Sequence, residues 1–113
     1  MSHSRWKTIR DRKISEGFSE PAEVAEARYE IGLSMALAKA VHDRRTALGL
    51  TQAELAELAG LTQAKISRIE GSDTVPTLPL LAKLARALDA SLDISLDEDS
   101  TRVAFTAHHS DAA

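Results

Sequence analysis

Gln63 and Arg68 carry the most specific chemistry in this chain, because each ends in a planar head with two hydrogen-bonding prongs. A glutamine amide matches the N6/N7 edge of adenine and a guanidinium the O6/N7 edge of guanine, so a helix presenting both outward can read base edges in a major groove. Other chemistries find less footing. His3, His42, His108 and His109 form no ligand pattern with carboxylates, and cysteine is absent. No glycine-rich phosphate loop and no spaced pair of nucleophile and base occurs. The expectation is a binding protein rather than an enzyme, with no catalytic residue, no metal and no cofactor.

Two short helices must position these side chains, and residues Thr51 to Gly71, T-Q-A-E-L-A-E-L-A-G-L-T-Q-A-K-I-S-R-I-E-G, carry the signals for them. Thr51 and Glu54 have the spacing of a capping box, in which hydroxyl and carboxylate each satisfy the other's backbone N–H. Leu55, Ala56, Leu58 and Ala59 then recur at helical spacing, and Gly60 stands where a left-handed residue would end the helix. Leu61 closes the turn, Thr62 can cap the next helix, and Ile66 and Ile69 turn one of its faces inward. Its other face is Gln63, Ala64, Lys65, Ser67 and Arg68. Ala56 faces the crossing point, where a larger side chain would force the two helices apart. This is the pattern of a helix-turn-helix, whose second helix can enter the major groove.

The flanks divide by their punctuation. Residues 1–18 read as a loosely ordered basic arm closed by Gly17. A first helix is expected over 19–33, with Ser19 as cap, Pro21 in the opening turn and Glu20 and Glu23 near its positive end. Gly32 and Ser34 mark a break or kink. A second helix runs to Leu48, burying Leu37, Val41 and Leu48, and Gly49 ends it. Its basic pair, Arg44 and Arg45, either flanks DNA or is solvated surface charge. Beyond a polar loop, Thr77 opens a helix in which Leu81, Leu84 and Leu88 point to the core. Then the period changes to two: Leu92, Ile94 and Leu96 alternate with Ser91, Asp93 and Ser95, and Val103 and Phe105 with Arg102, Ala104 and Thr106. Two strands about an acidic turn over 97–100 are expected. They either dock on the helical body or pair with another chain, since an isolated hairpin is marginal in water.

On these residues, about Ser34 to Leu88 resembles the five-helix domain of the Cro/C1-type, or XRE, helix-turn-helix proteins. The matching segments are A-L-G-L-T-Q-A-E-L-A (47–56), K-I-S-R-I-E-G (65–71) and P-T-L-P-L-L-A-K-L-A-R-A-L (76–88). The fold implied is all-α: that five-helix domain with an additional N-terminal helix and a short C-terminal β-strand or hairpin. Its organisation would be an arm at 1–18, a helix at 19–33, the DNA-binding domain at 34–90, a strand-rich dimerisation segment at 91–106 and a disordered tail at 107–113. Carried over by position, the resemblance implies that Gln52 holds a phosphate and braces Gln63. It further implies that Gln63, Ala64 and Arg68 face bases, that Lys65 and Ser67 reach bases or backbone, and that Thr77 donates to a phosphate. Asp89 departs from the family pattern, standing where a glycine often ends the last helix.

Composition bounds this reading. A chain of 113 residues supports one modest core. The formal charge of -3 is not that of a non-specific nucleic-acid coat, so affinity must depend on local placement. Residues 1–13 carry +4, 14–30 carry -4, 31–71 carry +1 and 72–113 carry -4. No apolar run approaches the ~20 residues of a membrane span, and the cysteine-free chain suits the cytoplasm.

The plan also resembles HigA-type antitoxins. The expected function is a DNA-binding transcriptional regulator serving as the antitoxin of a toxin-antitoxin module, neutralising a toxin by direct contact and autorepressing its operon. The alternative is a stand-alone dimeric repressor with no toxin partner. Either would bind an inverted-repeat operator as a homodimer, with two second helices roughly 34 Å apart. The arm, with Arg5, Trp6, Lys7, Arg10, Arg12 and Lys13, either folds on a partner or tracks phosphate.

Replacing Arg68 by alanine should cost ~1–3 kcal/mol on the preferred DNA site and relax sequence preference, whereas Gln52→Ala or Thr77→Ala should weaken all sequences alike. Titrations of each variant against the preferred duplex and a scrambled one separate the two; equal losses on both for Arg68→Ala would remove it from the base-facing set.

Overall fold

A computed structural model of the chain describes residues 21–97 and 100–108. The expected basic arm at 1–18 and most of the tail at 107–113 lie outside the described residues. Four helices come first: α1 (Ala22–Ala47), α2 (Gln52–Ala59), α3 (Gln63–Glu70) and α4 (Leu78–Ala87). A hairpin of β1 (Ala90–Leu96) and β2 (Thr101–Ala107) follows, paired antiparallel from Ala90 opposite Ala107 to Leu96 opposite Thr101.

The all-α, five-helix expectation with an additional N-terminal helix is therefore corrected: the described residues hold four helices and a two-stranded antiparallel sheet. At the N-terminal side the anticipated break does not occur. The chain runs as one helix of 26 residues through Gly32 and Ser34, so residues 22–33 of the expected separate helix are the first half of α1, while its expected cap Ser19 and Glu20 lie outside the described residues. A lone glycine inside a helix costs only about 1 kcal/mol, and the alanine, glutamate and leucine around it are strong helix formers. Ser34 is buried against the body rather than capping a new helix. Pro21 precedes the first helical residue with φ -56° and ψ 144°, and makes no side-chain cap. Between residues 34 and 88 the described residues hold the end of α1 and three further helices rather than five, and the alternation beyond Leu88 yields two strands.

The core is one cluster. Leu37 and Val41 of α1, Leu55, Ala56 and Ala59 of α2, Ile66 and Ile69 of α3, and Leu81, Leu84 and Leu88 at α4 are buried together. Leu92, Ile94, Val103 and Phe105 line the inner face of the hairpin and pack against it, half-buried. Leu48, expected in the core, and Leu58, apolar at helical spacing, are not in it. Leu48 caps the C-terminus of α1 and is 41% exposed, and Leu58 is 60% exposed on the outer side of α2. With helices this short, an apolar residue one position off the inward stripe points to solvent. The first turns of α1 extend past the core: residues 21–32 are all exposed. No described helix is long and apolar enough to cross a membrane.

Every helix end but the start of α1 is closed by a named device. The Thr51 hydroxyl accepts from Glu54 N–H (3.0 Å) while the Glu54 carboxylate accepts from Thr51 N–H (2.8 Å). The Thr62 hydroxyl accepts from Lys65 N–H, and that of Thr77 from Leu80 N–H. At the C-termini, Gly49 (φ 73°), Gly60 (φ 69°) and Ser72 (φ 63°) turn left-handed. The residue after each donates back to the helix: Leu50 to Arg45, Leu61 to Ala56 and Asp73 to Arg68. These are Schellman closures that satisfy otherwise orphaned carbonyls. Asp89 (φ 50°) adopts the same conformation after α4, since aspartate tolerates it better than most residues. Its carbonyl accepts from His108 N–H (3.1 Å), tying the far end of the hairpin to the end of α4.

Ala56 is 4% exposed within the cluster that joins α2 to α3. Ala56→Leu should therefore lower stability by ~1–3 kcal/mol through overpacking, read as a lower denaturant midpoint with an unchanged slope. An unchanged midpoint would place Ala56 away from the crossing.

Candidate nucleic-acid interface

Helix α3 owes its orientation to its own sequence. Ile66 and Ile69 are fully buried, which anchors one side, and the opposite side is then forced outward. Gln63, Ala64, Ser67 and Arg68 are exposed together on that side, one turn apart in pairs, and Lys65 is half-buried at its margin. Thr77, exposed, opens α4 beyond the loop, and because its oxygen serves as acceptor for Leu80 the hydroxyl proton stays available as a donor. Gln52, half-buried, is the first residue of α2. Of the seven expected contact residues, four thus share the exposed face of α3, Lys65 borders it, and Gln52 and Thr77 sit at the first turns of the helices on either side in sequence. Among the described residues, neither Lys65 nor Arg68 takes part in an ion pair.

One group missed by the sequence reading holds this face in place. Glu70, the last residue of α3, has a side chain only 5% exposed. Arg45 of α1 grips it with two prongs, Nε to Oε2 at 2.7 Å and Nη2 to Oε1 at 2.9 Å, while Nη1 donates to the Leu50 carbonyl at 2.8 Å. Gln52 Nε2 donates to the same Oε1 at 3.2 Å, and His42 Nδ1 lies 3.1 Å from it. Burial is the largest single influence on the carboxyl and opposes its ionisation. The hydrogen bonds from Arg45, His42 and Gln52, with the charge of Arg45, together outweigh it and hold Glu70 below the usual carboxylate range. The Arg45 guanidinium is in turn held more firmly protonated, chiefly by its bond to Glu70.

Arg45 is therefore neither a DNA-flanking residue nor solvated surface charge, the two alternatives its sequence position left open. Its side chain is 11% exposed and fully engaged inside the protein. Arg44 is similarly occupied, with Nε donating to the Leu88 carbonyl at 3.0 Å and Nη2 lying 3.3 Å from that of Asp89. A signal for the Glu70 pair was present in the sequence. A carboxylate at a helix C-terminus opposes the helix dipole, so Glu70 ending α3 requires a cation from elsewhere, and the two arginines near the end of α1 were the available donors.

Comparison with known proteins bears on this geometry. The family model described as helix-turn-helix, HTH_3, matches residues 41–95. A Haemophilus influenzae protein named as an uncharacterized HTH-type transcriptional regulator is 40% identical over 65 residues, 58% of this chain and 66% of that protein. One from Methanothermobacter thermautotrophicus with the same description is 42% identical over 65 residues, 55% of this chain and 94% of that protein. Among solved structures, an HTH_3 family transcriptional regulator from Vibrio cholerae superposes with a TM-score of 0.54 at 29% identity, over 55% of this chain and 35% of that one. This chain thus spans just under two thirds of the Haemophilus protein and about a third of the Vibrio one.

The Glu70 pair makes stability depend on acidity with a defined sign. A carboxyl whose folded pKa lies below its unfolded value stabilises the fold above the unfolded pKa, near 4.5, and that contribution disappears as pH falls through the lower folded value. Glu70→Gln, which leaves Arg45 without its counter-charge, should cost roughly 3 kcal/mol at pH 7. The difference from the parent should shrink as pH is lowered below about 4.5. Urea titrations at pH 7 and pH 3.5 read both; a difference that is constant with pH would mean Glu70 contributes no charge-dependent stability.

Proposed function

We propose, from the premise that this chain belongs to the HTH_3 family of helix-turn-helix proteins, that it is a transcriptional regulator whose α3 reads operator sequence in the major groove. The observation that carries this is the outward face of α3, where Gln63, Ala64, Ser67 and Arg68 are exposed side by side while Ile66 and Ile69 lock the opposite side into the core. Its mechanism follows from the placement. Gln63 and Arg68 offer bidentate bonds to adenine and guanine edges, and Ala64 offers a methyl to a thymine methyl. Ser67 and Lys65 reach bases or backbone. Gln52 and Thr77 bond phosphates on either side, setting the register of α3 in the groove without reading sequence themselves. The role is binding and not catalysis.

The chain acts as a homodimer on an inverted repeat. One domain of this size offers a single short reading helix, and a second copy at fixed spacing multiplies affinity without new contacts per protomer. The hairpin supports that reading, because its inner face, Leu92, Ile94, Val103 and Phe105, remains half-buried after packing on the helices, and Leu96 at its end is 59% exposed.

A second reading, service as an antitoxin that holds a toxic protein by direct contact, is favoured by one observation. The part of α1 before residue 41 lies outside the residues matched to the family, and it carries Val24, Ile31 and Met35, each about half exposed, on one stripe. Such a stripe is unnecessary for the helix-turn-helix core and suits a protein partner.

Selection of randomised duplexes by the full chain should enrich an inverted repeat with half-sites about one DNA turn apart, ~10 base pairs. Enrichment of a single half-site would overturn the dimer, and no enrichment over input would overturn sequence-specific binding. Co-expression with adjoining reading frames tests the second reading. A stoichiometric partner that is toxic alone establishes it, and a lone regulator that still binds its selected duplex removes it.

A further inference from the structure

Glu70 sits at the junction of three helices, and its Oε1 is shared by donors from two of the others: Arg45 Nη2 of α1 at 2.9 Å and Gln52 Nε2 of α2 at 3.2 Å, with His42 Nδ1 of α1 at 3.1 Å. We propose that Glu70 is a positioning residue for DNA binding, fixing which way round the Gln52 amide faces. The inference rests on the reading of α2 and α3 given above and deepens it.

Donor and acceptor identity decides the sense of the amide. A primary amide is nearly symmetric in shape, and its two senses differ only in whether nitrogen or oxygen points a given way. An ionised carboxylate is acceptor-only, so it accepts the amide nitrogen and rejects the oxygen. Glu70 is kept ionised by its donors, above all Arg45. With Nε2 turned to Glu70, Gln52 presents outward one remaining N–H, a donor for a phosphate oxygen, and its carbonyl oxygen, an acceptor for a neighbouring donor. The opposite sense would turn the amide oxygen onto the carboxylate, oxygen against oxygen. Fixing the side chain before DNA arrives also removes most of the rotamer entropy lost on binding.

Arg45 makes the arrangement stiff. Its bidentate grip leaves the carboxylate no freedom to rotate, and its third bond, to the Leu50 carbonyl, fixes it to the connection that leads into α2. The end of α3 and the start of α2 are thus registered against one another through a single oxygen. Glu70 itself touches no DNA in this arrangement: it is almost wholly buried, and it acts through Gln52.

The test is a double-mutant cycle on the full chain, with a fluorescein-labelled duplex selected from randomised DNA as the probe. Affinities are measured at 10 °C for the parent, Gln52→Ala, Glu70→Gln and the double variant, with circular dichroism confirming that each is folded. Glu70→Gln offers Gln52 an amide in either sense and so removes the selection while keeping size. The expected result is that Glu70→Gln raises Kd at least about threefold more with Gln52 present than with Ala at position 52, the signature of two residues that act together. The same rise in both backgrounds would overturn the proposal, since Glu70 would then act only by holding helices together. Gln52→Ala without effect beside a weakened Arg68→Ala would overturn it while leaving the DNA reading intact; both without effect would overturn the reading as well. Should Glu70→Gln fail to fold, nitrogen relaxation of the Gln52 side-chain amide in the parent decides. The proposal requires that amide to be rigid before DNA is added, and mobility equal to that of exposed Gln63 would refute it.

Discussion

The bidentate pair between Arg45 and Glu70 is the constraint on which the remaining geometry depends. Helix α3 has eight residues, too few to be stable as an isolated helix. Its N-terminus is held by the Thr62 cap and its middle by Ile66 and Ile69, but its C-terminus ends in a carboxylate that the helix dipole disfavours. The guanidinium from α1 reverses that penalty and at the same time sets the distance between the long helix and the short one. An arginine was required for this. A lysine would supply charge without the fork that bonds both carboxylate oxygens and the Leu50 carbonyl together. The orientation of the outward face of α3 follows from this attachment as much as from the apolar core.

Around that pair the fold is assembled from short elements ended abruptly. Three left-handed residues, Gly49, Gly60 and Ser72, each reverse the chain with a closure back onto the helix just finished. The consequence is that α1, α2 and α3 meet within few residues of one another, so the core can be built from about ten side chains. Such a core is small, and each polar junction matters correspondingly more. Arg44 bonds the carbonyls at the end of α4, and the Asp89 carbonyl also accepts from the far end of the hairpin. The first and last described elements are thereby brought into register.

Much of this was legible in the sequence, for identifiable reasons. The capping box at Thr51 and Glu54, the caps at Thr62 and Thr77 and the turn at Gly60 are local devices, each decided by residues within four positions. Alternation from Leu92 onward is local too. What was not legible depended on comparing alternatives of nearly equal local energy. Gly32 can interrupt a helix or be carried through it, and only the docking of Ser34 and Leu37 on the body favours continuity. Leu48 and Leu58 are apolar and helical, yet their burial depends on a rotation of less than one residue. The largest omission, Arg45 with Glu70, spans 25 positions. Charge spacing along the chain carries no information about such a pair, although the unfavourable end of α3 called for a partner.

The same pair bears on how a chain of net charge -3 can engage a polyanion. Between residues 31 and 71 there are five cations, Lys39, Arg44, Arg45, Lys65 and Arg68. Arg44 and Arg45 bond partners inside the protein, and Lys39 pairs with Asp43 at 2.6 Å. Lys65 and Arg68 are what this region leaves for DNA. Counterion release scales with the number of phosphates neutralised, and two cations from this region contribute little of it. In the proposed complex, neutral donors, the Gln52 amide and the Thr77 hydroxyl, share in holding the backbone, and neutral donors depend on direction where charges do not. On that proposal preorganisation of those side chains matters more here than in a basic protein, since a buried carboxylate that orients an amide would contribute to binding without facing the nucleic acid.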